Sequence, residues 1–565
     1  MCGGITERRQ SGNKTGSQGC LRRYPCDGGR GRAGTGDMDM DKKEGRWSGM
    51  TPGQAFETVY RRIRREWKTA FLTCFLLGLL IHMPALISDI PNHDGLDSMY
   101  FHQNMITSGR WFLSVACGFS SYYTVPWLIG ILGLAFLGCA AAALCELLEV
   151  RRIWAVALVS GLLAAFPALA STFAYVYTLD GYMLALLLSV LSVLAVRKRR
   201  LGFVPGAFCL AFSMGIYQGY LSFAMILAIF ALWMTLLDEK LPLKDRLLAS
   251  LRYLYMGVLG GGLYYAILQA LLWIQGKELD HYQGIDGLGG GFLSGGIPEA
   301  LGGIYRDFFT FSLRGNVLFT NAFSLAAWCV LGALAAAAAF FLIRRRKCWK
   351  NPLLFAIIGL TLLLLPVASN IILVVSPDVN YHLLMRYQWV LYAIGAVALI
   401  SGQGGRTERG AWMEWLGLAA AGTLVFCYGV ADNIAYSNLQ KRYEKTYAYC
   451  LRLLDRIEQT EGYYHGIPIA MIGVVGDEQF PVTDITLPVT SNMIGLSGDS
   501  LLYTGKNYQL FIRHYLGATL NVLPEEAMED MYMSEEYMAM DSFPGPDSIR
   551  IIDGVMYIKT ENVNR

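Results

Sequence analysis

The sequence predicts an all-α, polytopic membrane protein of about eleven helices, with a small α/β domain at its C-terminal end. Composition is the first reason. Of 565 residues, 54% are hydrophobic and only 16% are charged, where soluble chains carry about 25% charged residues. The second is that the deficit sits in charge-free blocks such as 69–88, 126–145 and 321–343. Each is close to the ~20 residues that carry a helix across ~30 Å of hydrocarbon. The third is that basic residues cluster in alternate gaps between the blocks, which is a topology signal.

The elements follow in chain order. Residues 1–50 are rich in Gly, Arg, Ser and Asp and have no apolar period, so they read as a disordered extension without the apolar core of a signal peptide. A start at Met38, Met40 or Met50 is the expectation for native translation. The membrane domain is expected over 51–436. Its apolar segments fall at 69–88, 126–148, 153–173, 178–196, 201–217, 219–237, 253–275, 322–343, 352–375, 386–401 and 411–432. With the N-terminus in the cytoplasm, the inner loops hold basic clusters at 61–68, 151–152, 197–200, 240–252, 344–350 and 406–409. The outer loops and their edges hold only Arg110, Lys277, Arg306, Arg314 and Arg386. This bias predicts a multi-pass protein of the plasma membrane. The loops 89–125, 276–320 and 376–385 then face outward, as does the chain after about residue 432. A small extracytoplasmic domain is expected over 437–565, with helical spacing across 441–458 (Tyr447, Leu451, Leu454) and a buried strand at 467–475.

Several classes are disfavoured. No repeat of 20–50 residues points to a solenoid. The Lys/Arg clusters flank apolar blocks and do not form a nucleic-acid patch, so no nucleic-acid partner is expected. The 12 cysteines contain no CxxC pair. The Gly-rich run 284–296 lacks the order of a phosphate loop, and HExxH, GxSxG and the EF-hand pattern are absent.

Polar residues collect at the outer edge, where all seven histidines fall. Three carboxylates, Asp89, Asp94 and Asp97, follow the first apolar block directly. Asp94 and Asp97 would share one face of a helix. One could take a proton from an attacking hydroxyl while the other orients it or holds a metal. The neighbouring Pro, Asn and Gly fit a solvated turn equally well. Arg110, the lone cation of that loop, can hold a phosphate, or anchor the interface beside Trp111 and Trp127. Arg386, flanked by Tyr381, His382, Tyr387 and Trp389, is a functional candidate at its depth, or a snorkelling side chain. Gln218, after Tyr217 at an outer turn, could bond a sugar hydroxyl or cap freed backbone.

Taken together, the acidic cluster, then Ser108, Gly109, Arg110 and Trp111, then Pro126, Trp127 and Leu128, and later Gly215, Ile216, Tyr217, Gln218 and Gly219, resemble the bacterial membrane glucosyltransferases of the Gtr type II group. The resemblance spans about 69–440. It implies the GT-C class, a polyprenyl-phosphate-linked sugar donor carrying glucose, and a glycan acceptor at the cell surface. It makes Asp94 and Asp97 the catalytic candidates. Asn92, His93, Arg110, Tyr217, Gln218, His382 and Arg386 are the candidates to bind substrate. In the group the acids are often adjacent; here Gly95 and Leu96 separate them. Any cofactor is left open, since two acids suit a divalent cation or none. The rival reading is a transporter or flippase of a lipid-linked saccharide, which predicts charged residues at mid-membrane and internal repeats. A scaffold anchored by its spans is the third.

Overall fold

Helices form where the apolar blocks lie, because a backbone in hydrocarbon must satisfy its own hydrogen bonds. The computed structural model describes residues 51–90, 92–99, 103–118, 123–280, 297–375, 379–402, 408–472, 502 and 504–560. The N-terminal extension, His102, His281, the run 284–296 and the end of the strand expected at 467–475 lie outside the described residues, as does the side chain of His93. The chain divides into two compact units, Met1–Arg62 and Ile63–Arg565. In the first, the described residues form α1 (Pro52–Arg62), in which Glu57 and Arg61 pair one turn apart.

The second unit opens with α2 (Arg65–Ile87), α3 (His93–Asp97), α4 (Leu113–Gly118), α5 (Pro126–Leu147), α6 (Ile153–Ala165) and α7 (Pro167–Phe173). It continues with α8 (Leu179–Lys198), α9 (Phe203–Ile216), α10 (Leu221–Leu236), α11 (Leu243–Gln275) and α12 (Ile297–Arg314). Then come α13 (Ala322–Arg345), α14 (Pro352–Leu363), α15 (Leu365–Ser369), α16 (Ile372–Val375), α17 (Val390–Ser401) and α18 (Glu408–Glu458). Among the described residues, eight helical segments are long and apolar enough to cross a bilayer, or nine if α6 and α7, bent by 44°, make one span. The segments read at 201–217 and 352–375 give only the shorter apolar helices α9 and α14. Among the described residues this gives eight or nine candidate spans, and the count of about eleven is not confirmed.

Small residues let the helices approach. A Cβ placed on Gly78 of α2 would lie 2.5 Å from Leu134 of α5, and one on Gly130 of α5 would lie 2.1 Å from Leu86 of α2. Such contacts drive association where lipid removes the hydrophobic term. At the basic end, buried Glu146 closes α5 and accepts from Arg64 at 2.9 Å, Arg151 at 2.7 Å and Lys198. One carboxylate thus ties the ends of α2, α5 and α8 together.

At the opposite end the helices break. Phe166 is extended (φ −67°, ψ 131°) because Pro167 follows it. Tyr217 is extended (φ −157°, ψ 117°) between α9 and the turn Gln218–Tyr220. Arg386 (φ −105°, ψ 23°) interrupts Leu383–Trp389. Irregular backbone at such depth is tolerated where it is buried in protein or lines a cavity.

The 51-residue α18 runs without interruption through residue 436 and into the polar region beyond. Beyond it the chain forms β1 (Pro468–Ile472), α19 (Gly505–Phe511), β2 (Asn521–Val522), α20 (Glu525–Tyr532), α21 (Glu535–Met538), β3 (Ile549–Ile552) and β4 (Val555–Lys559), on which α18 packs through Tyr443 against Phe511 and Tyr449 against Phe543. The sheet order is β2-β1-β4-β3, with β1 parallel to both neighbours and β3 antiparallel to β4. Buried Lys559 donates to the carbonyls of Tyr537, Met538 and Met540 at 3.3, 3.3 and 2.8 Å, satisfying the open end of α21.

Candidate active site

The loop after α2 is built by local capping. Asn92 is the N-cap of α3, and its Oδ1 accepts the Gly95 amide at 2.7 Å. Asp94 and Asp97 both lie on this short helix and are exposed. Asp97 pairs with Lys506 of α19 at 3.0 Å. Tyr515, in the turn after α19, donates to the Asp89 carbonyl at 3.4 Å. The C-terminal domain is therefore seated directly on the acidic loop.

The second half of the loop is fixed by its own turn and by distant partners. Gly109 takes φ 77°, a conformation that glycine adopts without strain, and the Arg110 amide donates to Met105 at 3.0 Å. The Ser108 carbonyl accepts from Gln218 Nε2 at 3.1 Å, and the Gly109 carbonyl accepts from Tyr264 at 3.1 Å. Gln218 also donates to the Tyr264 oxygen at 3.1 Å, so both of its amide hydrogens serve this junction. The Phe112 amide donates to Gly215 at 2.7 Å, and the Trp111 ring lies on Gly215, where a Cβ would come within 2.6 Å of it. The two motifs around 108–111 and 215–219 are thereby one structure. Its product is a guanidinium held over an aromatic face: Arg110 lies 4.8 Å from the Tyr217 ring, and Tyr217 stacks on Tyr182 at 4.5 Å. Asp94 and Arg110 both lie within electrostatic range of the Tyr177 phenol.

Arg386 has a different setting. It is 8% exposed, and its Nη1 and Nη2 donate to the two carboxylate oxygens of Asp307 at 2.7 and 2.9 Å. Asn370 adds a third bond to Asp307 at 3.0 Å. The guanidinium is also 3.7 Å from the Tyr381 ring and 4.6 Å from Phe311. Asp307 escaped the sequence reading because α12 lies in what read as an outer loop. His382 occupies the N-cap position of Leu383–Trp389 with extended backbone and no side-chain capping bond. That segment touches the Tyr217 turn, since a Cβ on Gly219 would meet Met385 at 3.6 Å.

A cavity of about 440 Å³ opens at this end. Asp89, Asn92 and Gly95 of the loop line it, with Phe173 and Tyr177 where α7 gives way to α8, and Asn433, Tyr436, Gln440 and Glu444 of α18. Burial raises the Asp89 carboxyl above its ordinary value, with His514 acting against the rise. His82 was expected at the outer edge. It is buried beneath the cavity, with Nε2 on the Ala164 carbonyl at 2.9 Å and Nδ1 on the Tyr436 hydroxyl at 2.7 Å. Because a carbonyl only accepts, Nε2 carries the proton and Tyr436 donates to Nδ1. Among the described residues no three His, Cys, Asp or Glu side chains converge on a metal position.

These features define a polytopic helical membrane protein with its polar machinery gathered at one end of the bundle. Residues 83–400 match the model of the family Glucosyl transferase GtrII, and the chain belongs to that family. It is accordingly a membrane glucosyltransferase, with a sugar donor and a glycan acceptor. No curated protein and no solved structure matches the chain.

Proposed function

We propose that the protein transfers glucose from a polyprenyl-phosphate donor to a cell-surface glycan on the outer face of the plasma membrane, as a GT-C enzyme. The observation that supports this reading is that Asp94 and Arg110 both lie within electrostatic range of Tyr177, with Arg110 held over the Tyr217 ring, at the end opposite the Glu146 cluster. The basic clusters around Glu146 support a cytoplasmic position for that end, and in this reading the acidic end faces outward, together with the C-terminal domain over 437–565.

In this reading the polyprenyl chain lies among the helices and its phosphate meets Arg110, whose charge stabilises the phosphate as it leaves. Tyr217 holds the guanidinium from beneath, and Gln218 holds the loop that presents it. Asp94 takes the proton of the acceptor hydroxyl. The hydroxyl oxygen bonds to the anomeric carbon as the bond from that carbon to the phosphate oxygen breaks, and the lipid leaves as polyprenyl phosphate. Asp97, through Lys506, keeps α3 in position. Asn92 and His93 flank the reacting groups. His382 and the Arg386–Asp307 pair support the donor side. A divalent cation beside Asp94 is compatible with the scheme and not required by it.

Transfer of radiolabelled glucose from polyprenyl-phosphate-glucose in membranes tests the proposal. Alanine at Asp94 should abolish transfer while leaving the amount of folded protein unchanged. Alanine at Asp97 should reduce it, because the substitution frees Lys506. Full activity in both variants would overturn the assignment.

A further inference from the structure

The family match ends at residue 400, but one wall of the cavity does not. Asn433, Ser437, Gln440, Lys441 and Glu444 line it from α18 at spacings of four, three, one and three residues, which puts them on one stripe of the helix. The opposite wall carries Asp89 and Asn92. Asn92 is 1% exposed, its Oδ1 is taken by Gly95, and its Nδ2 has no hydrogen-bond partner among the described residues. Buried donors are normally satisfied, so this one is placed for an acceptor that a ligand brings. Asn433 commits its Nδ2 to the Gly429 and Ile81 carbonyls at 2.8 and 3.3 Å, leaving its oxygen to meet a ligand hydroxyl. Phe173, Tyr177 and Tyr436 add flat apolar faces.

The charge of the lining selects among ligands. Asp89 and Glu444 face one cation, Lys441, so a phosphate would meet a net negative wall. Amides, hydroxyls and aromatic faces together match an uncharged sugar, which offers hydroxyls at its rim and C–H groups on its faces. The volume, about 440 Å³, falls within the ~300–1,000 Å³ of small-molecule sites.

We infer that this cavity is the acceptor subsite, binding an uncharged pyranose of the acceptor glycan, and that the α18 stripe beyond the family-matched segment decides which sugar fits. The inference rests on the reading of this end as the catalytic end. It separates the two substrates: the donor phosphate lies at Arg110, and the acceptor sugar lies between Asn92 and Gln440. Acceptor choice can then change by substitution on α18 without disturbing the donor machinery.

The test uses the full chain in detergent micelles and a panel of methyl hexosides, read by saturation-transfer NMR. At least one hexoside should receive saturation from the protein, and inorganic phosphate should not displace it. Gln440→Leu together with Asn433→Leu should weaken that binding about tenfold, the effect of losing one or two neutral hydrogen bonds. Gln440→Leu alone, at a half-buried surface position, should weaken it in the same direction if the double variant does not fold. Absence of hexoside binding by the unmodified protein, unchanged binding in Gln440→Leu, or displacement by phosphate would each overturn the subsite. The readout needs no catalysis, so the two readings fail separately. Intact sugar binding without transfer sinks only the donor chemistry, and intact transfer without these effects on sugar binding sinks only the subsite.

Discussion

Replacing Asp307 by alanine strands a buried guanidinium. Asp307 accepts two bonds from Arg386, at 2.7 and 2.9 Å, and one from Asn370 at 3.0 Å. Removing one partner of a buried ion pair costs about 3–5 kcal/mol, because the other charge is left desolvated. The Asp307 side chain is 29% exposed, so water screens part of the interaction and the loss belongs at the low end, about 3 kcal/mol. The Tyr381 ring at 3.7 Å and the Phe311 ring at 4.6 Å remain and retain roughly 0.5–2 kcal/mol of attraction for the cation. Arg386→Met should cost less, about 1–2 kcal/mol, because it leaves the partly exposed acid behind and fills the aromatic pocket. The double variant should then resemble Arg386→Met, giving a coupling equal in size to the cost of Asp307→Ala, about 3 kcal/mol. Unfolding of the purified protein in mixed detergent micelles, run as a double-mutant cycle, measures it. A stability of Asp307→Ala within about 0.5 kcal/mol of the parent would refute the pairing argument. Tighter binding of polyprenyl phosphate by Asp307→Ala would assign Arg386 to the donor instead.

Other expectations concern the same end of the bundle. Gly215→Ala puts a methyl 2.6 Å from the Trp111 ring, so it should cost about 1–3 kcal/mol and slow transfer by displacing Arg110; unchanged transfer would mean that this contact does not position the arginine. Asp89 has its carboxyl raised by burial, and a raised folded value gives stability that is present below the unfolded value and lost as pH rises through the folded one. Asp89→Asn should therefore melt higher than the parent at neutral pH, with the difference vanishing in acid below the ordinary carboxylate range; a lower melting point at neutral pH contradicts this. Asp432 in α18 is fully buried, with no hydrogen-bond partner for either carboxyl oxygen among the described residues. Asp432→Leu should keep or raise thermal stability, and a loss above about 1 kcal/mol would reveal a partner.

The parts legible in the sequence were those encoded locally. A charge-free block must become a helix wherever lipid removes the alternative of bonding to water. The Pro, Asn and Gly residues after the first block fit a turn by residue type, and Asn92 there caps α3. The motifs at 108–111 and 215–219 could be noticed separately, but their union could not. The 3.1 Å bond from Gln218 to Ser108 spans 110 residues, and no local period reports such a contact. Gln218 illustrates the limit: a sugar ligand and a backbone clasp require the same amide, and only the partners distinguish them. The difference between about eleven apolar segments and eight or nine candidate spans among the described residues has a related reason. Length and hydropathy register α9 and α14 as apolar, yet extended Tyr217 ends α9 at Ile216, and α14 ends at Leu363 before the short helix α15.

The longest helix shows why the cavity itself stayed hidden. Hydropathy and length give a span at 411–432, helical spacing gives a helix at 441–458, and the membrane domain is expected to end at 436. No Gly or Pro lies between 433 and 458, so nothing breaks the hydrogen-bond ladder, and α18 continues as one rod into the polar region. Hydropathy measures the solvent around a helix, whereas continuity depends on the backbone. A rigid rod that leaves the membrane beside the acidic loop carries its polar stripe up against Asp89 and Asn92. The stretch across the expected domain boundary at 436/437 forms one wall of the cavity. Any sequence that keeps this stretch free of helix breakers keeps the wall, and its polar residues can vary with the sugar it meets.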